Sequence, residues 1–282
     1  AMFQALARDE VDVVLAALPN GNFWIRELGI PGVRIAGELV IEGQSGEDLR
    51  FGVRPGLAPL ADILDQALAA ISPEEMHTIE SRWLGASVDL ELAVVHVARQ
   101  VGVDLELQET GEVSLNAVEL AWLKVHDNQL NMCIDPNWLP LEGIDEEGNH
   151  AGLSAEVARL FSSRAPVRFE LVRTDSWTES IGAARQGKCD IFTMAMKTPE
   201  RSEFLNFTEP YLEVPTVVLG RIEAPFIERV GDLRGQRVGV VKDYAFAELL
   251  QSRYPSLNLI EVANEQMGLR KLQNHDLDGY IT

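Results

Sequence analysis

Apolar and polar positions alternate in blocks along the second half of the chain. Apolar runs of strand length at residues 131–134, 167–172 and 191–194 are separated by helical patterns at 152–160 and 176–187. Strands that alternate with helices at this spacing are typical of a parallel, doubly wound sheet. The pattern therefore predicts an α/β protein.

The first 85 residues contain the same kinds of element. Apolar, β-branched runs at residues 11–18, 33–40 and 49–53 predict strands, and apolar positions at helical spacing predict a helix over 60–71. The sequence Ser-Pro-Glu-Glu at 72–75 is a capping box that opens another helix. Both blocks of the chain thus predict the same architecture.

The two ends of the chain repeat each other. Residues 5–12 (Ala-Leu-Ala-Arg-Asp-Glu-Val-Asp) align with residues 271–278 (Lys-Leu-Gln-Asn-His-Asp-Leu-Asp), and an apolar strand pattern follows both. Residues 86–113 are weakly patterned, which is typical of a connector. The chain is interpreted as starting in the middle of one domain and ending at the same point of a second copy.

The charge balance limits the partners. The 44 acidic and 24 basic side chains among 282 residues give a net charge of −20. Nucleic-acid binding requires a basic face, so no nucleic-acid partner is expected. An acidic surface also weakens attraction to an anionic membrane.

Cysteine usage leaves the compartment open. Cys133 and Cys189 each lie in an apolar, strand-like run, so buried free thiols are the first expectation and a disulfide is the alternative. No signal peptide pattern is recognisable at the start of the chain, and no apolar run is long enough to span a bilayer.

One stretch after the strand at 191–194 predicts an anion site. Thr198 suits the N-cap of a helix and Pro199 its first position, which puts Arg201 in the first turn. A guanidinium beside free helix N–H groups favours a carboxylate or phosphate. The alternative is a strand–helix corner with a surface arginine.

The same stretch resembles a known family. Thr-Pro-Glu-Arg at 198–201, followed by Asn-Phe-Thr-Glu-Pro-Tyr at 206–211, is similar to the signature of bacterial extracellular solute-binding proteins of family 3. The resemblance implies a periplasmic-binding-protein-like type II, or Venus flytrap, fold with two doubly wound α/β lobes joined by hinge strands. It also implies that Arg201 clasps the α-carboxylate of a small solute between the lobes.

Phrases in the first block resemble the subtype found in sensor histidine kinases. They are Arg-Ile-Ala-Gly-Glu at 34–38, Leu-Arg-Phe-Gly-Val-Arg at 49–54 and Ile-Ser-Pro-Glu-Glu at 71–75. This implies a periplasmic sensing domain of an inner-membrane receptor, which reaches the membrane only through segments outside this chain. A transporter's solute-binding protein is the alternative.

Catalysis is a third hypothesis, because this fold also carries dehydratase chemistry. The five histidines are scattered without metal-ligand spacing, and no Ser/His/Asp or Cys/His set is recognisable. We therefore expect a binding protein rather than an enzyme, with no cofactor and no metal.

The resemblance also implies a set of ligand-binding residues. They lie in the loop after the first strand, at the end of the central strand, in the arginine motif and in the second lobe: Asp135, Trp138, Thr193, Met194, Met196, Thr198, Arg201 and Tyr244. Amino-acid binders carry small hydroxylated residues where Met194 and Met196 stand, and an acid at the position of Ala17. A carboxylate or dipolar ligand with an apolar body is therefore expected.

The repeat and the resemblance together predict a split domain. Residues 1–85 form the C-terminal half of a first flytrap, with lobe 2 to about residue 45 and lobe 1 over 46–85. Residues 86–128 are a connector with a helix, 129–217 are lobe 1 of a second flytrap, and 218–282 begin its lobe 2.

Each block alone would expose an unpaired sheet edge and a half-built core, which is unfavourable. We therefore expect the first block to complete the second flytrap, either within one chain or between chains in a swapped or tandem-domain dimer. The strands at 11–16 and 238–241 would then share one sheet.

Overall fold

The computed structural model describes residues 13–27, 33–41, 46–85, 113–221, 226–262 and 279–281. The repeated segments, residues 5–12 and 271–278, and most of the connector lie outside these residues. Within the described ranges, no helix is both long and apolar enough to cross a membrane.

The described residues form fifteen strands, numbered in chain order. They are β1 (Val13–Ala17), β2 (Val33–Glu38), β3 (Glu47–Val53), β4 (Gln129–Cys133), β5 (Asn137–Trp138), β6 (Glu142–Ile144), β7 (His150–Ala151), β8 (Arg168–Leu171), β9 (Ile191–Met196), β10 (Asn206–Phe207), β11 (Leu212–Val214), β12 (Thr216–Arg221), β13 (Arg237–Val241), β14 (Asn258–Val262) and β15 (Gly279–Ile281).

Seven α-helices accompany these strands in the described ranges. They are α1 (Leu18–Glu27), α2 (Ala58–Ala69), α3 (Pro73–Leu84), α4 (Ala117–Val125), α5 (Leu153–Arg164), α6 (Trp177–Arg185) and α7 (Ala245–Arg253). The predicted capping box is confirmed, because Ser72 Oγ accepts from the Glu75 N–H and the Glu75 carboxylate accepts from the Ser72 N–H. Short 3₁₀ helices occur at Arg201–Glu203 and Val230–Leu233.

The first lobe is built on a sheet with strand order β10-β3-β9-β4-β8, in which β11 also pairs with β3. The central strand β9 is buried along its whole length, and it runs parallel to β4. β4 in turn runs parallel to β8, whereas β3 is antiparallel to β9. A small sheet of β5, β6 and β7 adjoins this lobe.

The second lobe is built on a six-stranded sheet with order β14-β13-β15-β1-β12-β2. β14, β13, β15 and β1 run parallel to one another, while β12 is antiparallel to both β1 and β2. Each lobe therefore has a block of parallel strands with antiparallel strands on one side of it.

Both sheets contain strands from both blocks of the sequence. β1 lies in the same sheet as β13, which the complementation hypothesis requires, and β3 pairs with β9 in the other lobe. Here the blocks combine within one chain. The division into two flytrap copies stays a proposal.

The chain crosses between the lobes at two adjacent places. Pro215 separates β11 in the first lobe from β12 in the second, and the chain returns to the first lobe between the end of β2 at Glu38 and the start of β3 at Glu47. The Leu39 N–H donates to Thr216 O at 2.8 Å, and Val214 pairs with Glu47. A two-stranded crossing of this kind is the covalent part of a hinge.

The cysteines correct an expectation. Cys133 and Cys189 form a disulfide with Cα atoms 5.7 Å apart, so the preferred interpretation as free thiols was wrong. The physical reason is the parallel pairing of β4 with β9, which brings the end of β4 beside the residues that lead into β9.

Candidate functional site

A cleft lies between the two lobes, at the carboxyl ends of β4, β9 and β13. Ligands bind at such strand ends in open α/β sheets. Its cavity volume is about 30 Å³ with the lobes in contact as they are here, and the empty space is about 350 Å³ when the part open to solvent is included. Eleven residues line it: Glu47, Leu49, Asp135, Trp138, Trp177, Met194, Met196, Arg201, Tyr244, Ala245 and Phe246.

Arg201 faces this cleft and is only 4% exposed. Its Nη1 donates to Met196 O at 3.2 Å, its Nη2 to Asp243 O at 2.7 Å, and its Nε to Glu248 Oε1 at 3.2 Å. The guanidinium carbon also lies 5.4 Å from the centroid of the Trp177 ring. The predicted surface-arginine alternative is therefore excluded.

The turn that carries Arg201 differs from the prediction. Thr198 Oγ1 accepts from the Arg201 N–H at 3.1 Å, as a capping residue does, but the segment is a 3₁₀ helix of three residues. A helix dipole of useful strength needs aligned turns, so the guanidinium, and not a helix terminus, supplies the positive charge.

A carboxylate of the protein already contacts the predicted anion-binding groups. Glu248, on α7 of the second lobe, accepts from Arg201 Nε through Oε1 and from Thr198 Oγ1 through Oε2 at 2.8 Å. The two residues come from opposite sides of the cleft, so this ion pair bridges the lobes.

Residues 243 and 244 add further bridges between the lobes. Asp243 O accepts from Trp177 Nε1 at 2.8 Å, and Asp243 Oδ2 accepts from Thr178 Oγ1 at 2.6 Å. The Tyr244 hydroxyl donates to Asp135 Oδ2. Asp243 has φ +62°, a left-handed conformation that Asp tolerates better than most residues.

Asn20, from the first 85 residues of the chain, makes a separate hydrogen-bonded bridge between the lobes. It is fully buried on α1, and its Nδ2 donates to Leu139 O at 3.0 Å and to Trp138 O at 3.3 Å. It thus ties the second lobe to the loop that carries Trp138.

Buried acids form a hydrogen-bonded group beneath the cleft. Glu142 Oε2 accepts from the Asp135 N–H at 3.0 Å, while Oε1 accepts from Thr193 Oγ1 and from Ser154 Oγ at 3.3 Å. Burial raises the pKa of Glu142 to about 8, and burial raises the pKa of Asp135 to about 6. Glu142 is therefore mostly protonated at neutral pH.

Glu47 is an acid of the cleft that is not among the eight residues predicted from the sequence. It begins β3 at the hinge, is 7% exposed and lines the cleft. Its carboxylate has no hydrogen bond or ion pair with any residue that the structure describes. Burial raises its pKa to about 7, and the nearby charge of Arg201 offsets this only in part. No local pattern marks Glu47 as a cleft residue, because it begins a strand that is far from the arginine motif in the chain.

Aromatic rings and methionines form the rest of the cleft. Trp138 and Tyr244 meet edge to face with centroids 6.1 Å apart, and Trp177 meets Tyr244 at 6.4 Å. Met194 and Met196 are almost fully buried at the end of β9. This wall offers apolar and aromatic contacts rather than hydroxyl groups.

Six of the eight predicted site residues line the cleft: Asp135, Trp138, Met194, Met196, Arg201 and Tyr244. Thr193 is fully buried and donates to Glu142, and Thr198 reaches the cleft only through its contacts with Arg201 and Glu248. Ala17, the position of the missing acid, ends β1 of the second lobe and is buried against the hydrophobic core of the first. The roles of the eight predicted residues in ligand binding stay predictions.

Comparisons with known proteins agree with this architecture. The sequence model for bacterial extracellular solute-binding proteins, family 3, matches residues 130–279, which is more than half of the chain. The Virulence sensor protein BvgS of Bordetella pertussis is 25% identical over 278 residues, covering 98% of this chain and 21% of the sensor. The chain thus spans about a fifth of that relative's length.

Two further matches cover smaller parts of the chain. The ABC transporter arginine-binding protein 1 of Escherichia coli K12 is 24% identical over 153 residues, covering 54% of this chain and 61% of that protein. The crystal structure of the Bordetella pertussis BvgS periplasmic VFT2 domain matches with a TM-score of 0.46 and 22% identity, covering 58% of this chain and 70% of that one.

The family match and the two lobes confirm the predicted fold class, an α/β protein of the periplasmic-binding-protein type. The chain belongs to the bacterial extracellular solute-binding proteins, family 3.

Proposed function

We propose that this chain is the periplasmic ligand-sensing part of a sensor histidine kinase. It binds a small carboxylate or amino-acid-like solute between its lobes and signals by lobe closure. The chain acts as a binding module, and the output and membrane-spanning parts belong to segments outside it.

The observation that carries this proposal is Arg201, a buried cation in a cleft between two lobes joined by paired crossing strands. A cleft with few charged groups on apolar walls is the usual form of a small-molecule site. Hinged lobes can convert binding into a change of shape only if ligand contacts differ between open and closed forms. Here, contacts from residues 243, 244 and 248 exist only when the lobes meet.

Two findings support a periplasmic sensor. The likeness to the BvgS sensor extends over 98% of this chain, including the first block, which the family model does not cover. The disulfide between Cys133 and Cys189 also fits an oxidising compartment such as the periplasm.

A thermal-shift screen of amino acids and organic acids tests the proposal. A ligand that binds the folded form stabilises it by about 3 kcal/mol at a concentration of about 100 Kd. We expect at least one solute to raise Tm, and Arg201→Ala to abolish the shift caused by any carboxylate-bearing ligand.

Arg185→Ala is the matched control, because this arginine lies in the same lobe with its side chain 45% exposed. It should leave the shift unchanged. An equal shift in wild type and Arg201→Ala would remove Arg201 from the site, and the absence of any binding solute would overturn the proposal.

An amino-acid-binding protein of an ABC transporter is the second candidate. It is favoured by the 24% identity to the arginine-binding protein over 153 residues. The two functions differ in what the cleft controls. In a sensor, cleft variants in the full-length protein change kinase autophosphorylation, whereas in a transport protein they change only solute uptake.

A further inference from the structure

Glu47 lines the cleft and makes no hydrogen bond or ion pair with the described residues. We propose that the cleft selects a ligand with a protonated amine, which Glu47 accepts, and that it does not select a simple carboxylate. This narrows the proposed function and rests on it.

Glu47 is the charged group of the cleft that lacks a partner among the described residues. It is 93% buried, since only 7% of its surface is exposed, and it lines the cavity. Although the side chain as a whole is buried, its carboxylate oxygens are not among the fully enclosed unpaired atoms of the described residues, so they are open to the cleft. An ammonium group there would donate hydrogen bonds to these oxygens and form the ion pair that Glu47 does not make with Arg201.

The groups that would bind an anion, Arg201 and Thr198, by contrast already contact a carboxylate of the protein. Glu248 accepts from both Arg201 and Thr198, and Asp243 O accepts a further guanidinium N–H. A free carboxylate must displace Glu248, which is tethered to the same molecule and therefore present at high effective concentration. A carboxylate without an amine therefore has to compete with Glu248 for Arg201, whereas a ligand that also carries an amine gains the contact with Glu47.

The walls suit a short apolar cation. Leu49 and Met194 offer apolar surface to an alkyl body, while the Trp138 and Tyr244 rings offer electron-rich faces that attract cations. The face of Trp177 already carries the Arg201 guanidinium. Asp135 contributes a second acid, although its carboxylate accepts from the Tyr244 hydroxyl and the Asn137 N–H.

The test compares two probes of similar size and opposite charge, n-butylamine and butyrate. Binding is measured by titration calorimetry and thermal shift at pH 8, where an alkylamine is protonated as a lysine is. We expect n-butylamine to bind saturably and butyrate not to bind. Glu47→Gln should weaken n-butylamine binding about tenfold or more, because it removes a charged hydrogen bond.

Glu47→Gln is a favourable variant because it keeps the side-chain shape and removes a buried charge, so we expect it to fold. Glu203→Gln is the matched control, since it makes the same charge change at an exposed position of the first lobe. Equal binding of both probes, or an undiminished affinity for n-butylamine in Glu47→Gln, would overturn the inference.

A reciprocal variant tests the filled anion position. Glu248→Ala leaves Arg201 and Thr198 without their carboxylate, so acetate should raise the Tm of this variant and leave that of wild type unchanged. Acetate stabilising both proteins equally would show that Glu248 does not block the position.

The two proposals fail separately. If the amino-acid and organic-acid screen finds a ligand without an amine and neither Glu47→Gln nor n-butylamine has an effect, only the present inference falls. If no solute of either class binds wild type, the proposed function falls with it.

Discussion

At the residue scale, the cleft concentrates carboxyl groups whose protonation depends on burial. Burial raises the pKa of Glu47, Asp135 and Glu142, and it lowers the pKa of His150 to about 4. His150 contacts Ser154, which in turn donates to Glu142. Burial disfavours the ionised forms of Glu47, Asp135 and Glu142, so near neutral pH the folded protein keeps protons on these carboxyl groups that the unfolded chain releases.

Glu142→Gln should reduce the pH dependence of stability. An acid with a raised pKa binds its proton more tightly when folded, so its contribution is present below pH 4.5 and is lost as pH rises towards about 8. We expect the free energy of unfolding of wild type to fall over this range, with Glu142 contributing on the order of 5 kcal/mol. Urea unfolding at pH 5, 7 and 9 measures the slope.

Glu170→Gln, at an exposed position on β8, is the control and should keep the wild-type slope. If Glu142→Gln showed the wild-type slope too, Glu142 would be ionised in the folded protein and the burial argument would be wrong.

At the element scale, two cross-connections hold strands in place. The disulfide ties the end of β4 to the start of β9, and the hinge strands meet at Gly46. Both act on the strands that deliver cleft residues, so both affect the site from a distance.

Removing the disulfide with Cys133→Ala and Cys189→Ala should lower the free energy of unfolding by about 2–4 kcal/mol. The reason is that the cross-link closes a span of 56 residues and restricts the unfolded chain. Denaturant unfolding with and without dithiothreitol measures this. Reductant should destabilise wild type and leave the double variant unaffected, and a reductant-insensitive wild type would contradict the bond.

Gly46→Ala should disturb the hinge. A Cβ at Gly46 would lie 2.6 Å from Val214 O, a backbone atom of the neighbouring crossing strand, so the two strands must separate. We expect a loss of about 1–3 kcal/mol, as for overpacking elsewhere, together with a larger radius of gyration in solution scattering. Gly56→Ala is not a clean comparison because Gly56 has φ +90°.

Gly182→Ala is the better control, because a Cβ there meets no atom within 4 Å and α6 favours alanine. It should be neutral or slightly stabilising. An unchanged stability and radius in Gly46→Ala would show that the crossing strands tolerate wider spacing.

At the scale of the whole molecule, the two sequence blocks depend on each other. β1 fills the second lobe's sheet between β15 and β12, and β3 fills the first lobe's sheet between β10 and β9. Without the first block, both sheets would lose a central strand.

Separate expression tests this dependence. Fragments 1–85 and 86–282 should each be unfolded or aggregated alone, since each exposes unpaired strand edges. Co-expression should yield a complex with one cooperative unfolding transition, seen by circular dichroism. A fragment 86–282 that folds alone with native-like cooperativity would contradict the complementation hypothesis.

The sequence by itself determined the kinds of element and the arginine motif. Local spacing was enough for β9 and for the capping box at Ser72, because these depend on neighbours in the chain, whereas the positions of Trp138 and Tyr244 were implied by the resemblance to the family. The same information placed Arg201 at a strand end, where a cleft forms.

Only the tertiary structure decided which charges meet. Glu248 lies 47 positions from Arg201, and Tyr244 lies 109 from Asp135, so no local pattern could pair them. The disulfide likewise follows from the neighbouring positions of β4 and β9. Glu47 lies at the hinge because β3, from the first block, completes the first lobe's sheet, and there it is buried without a hydrogen-bond partner among the described residues.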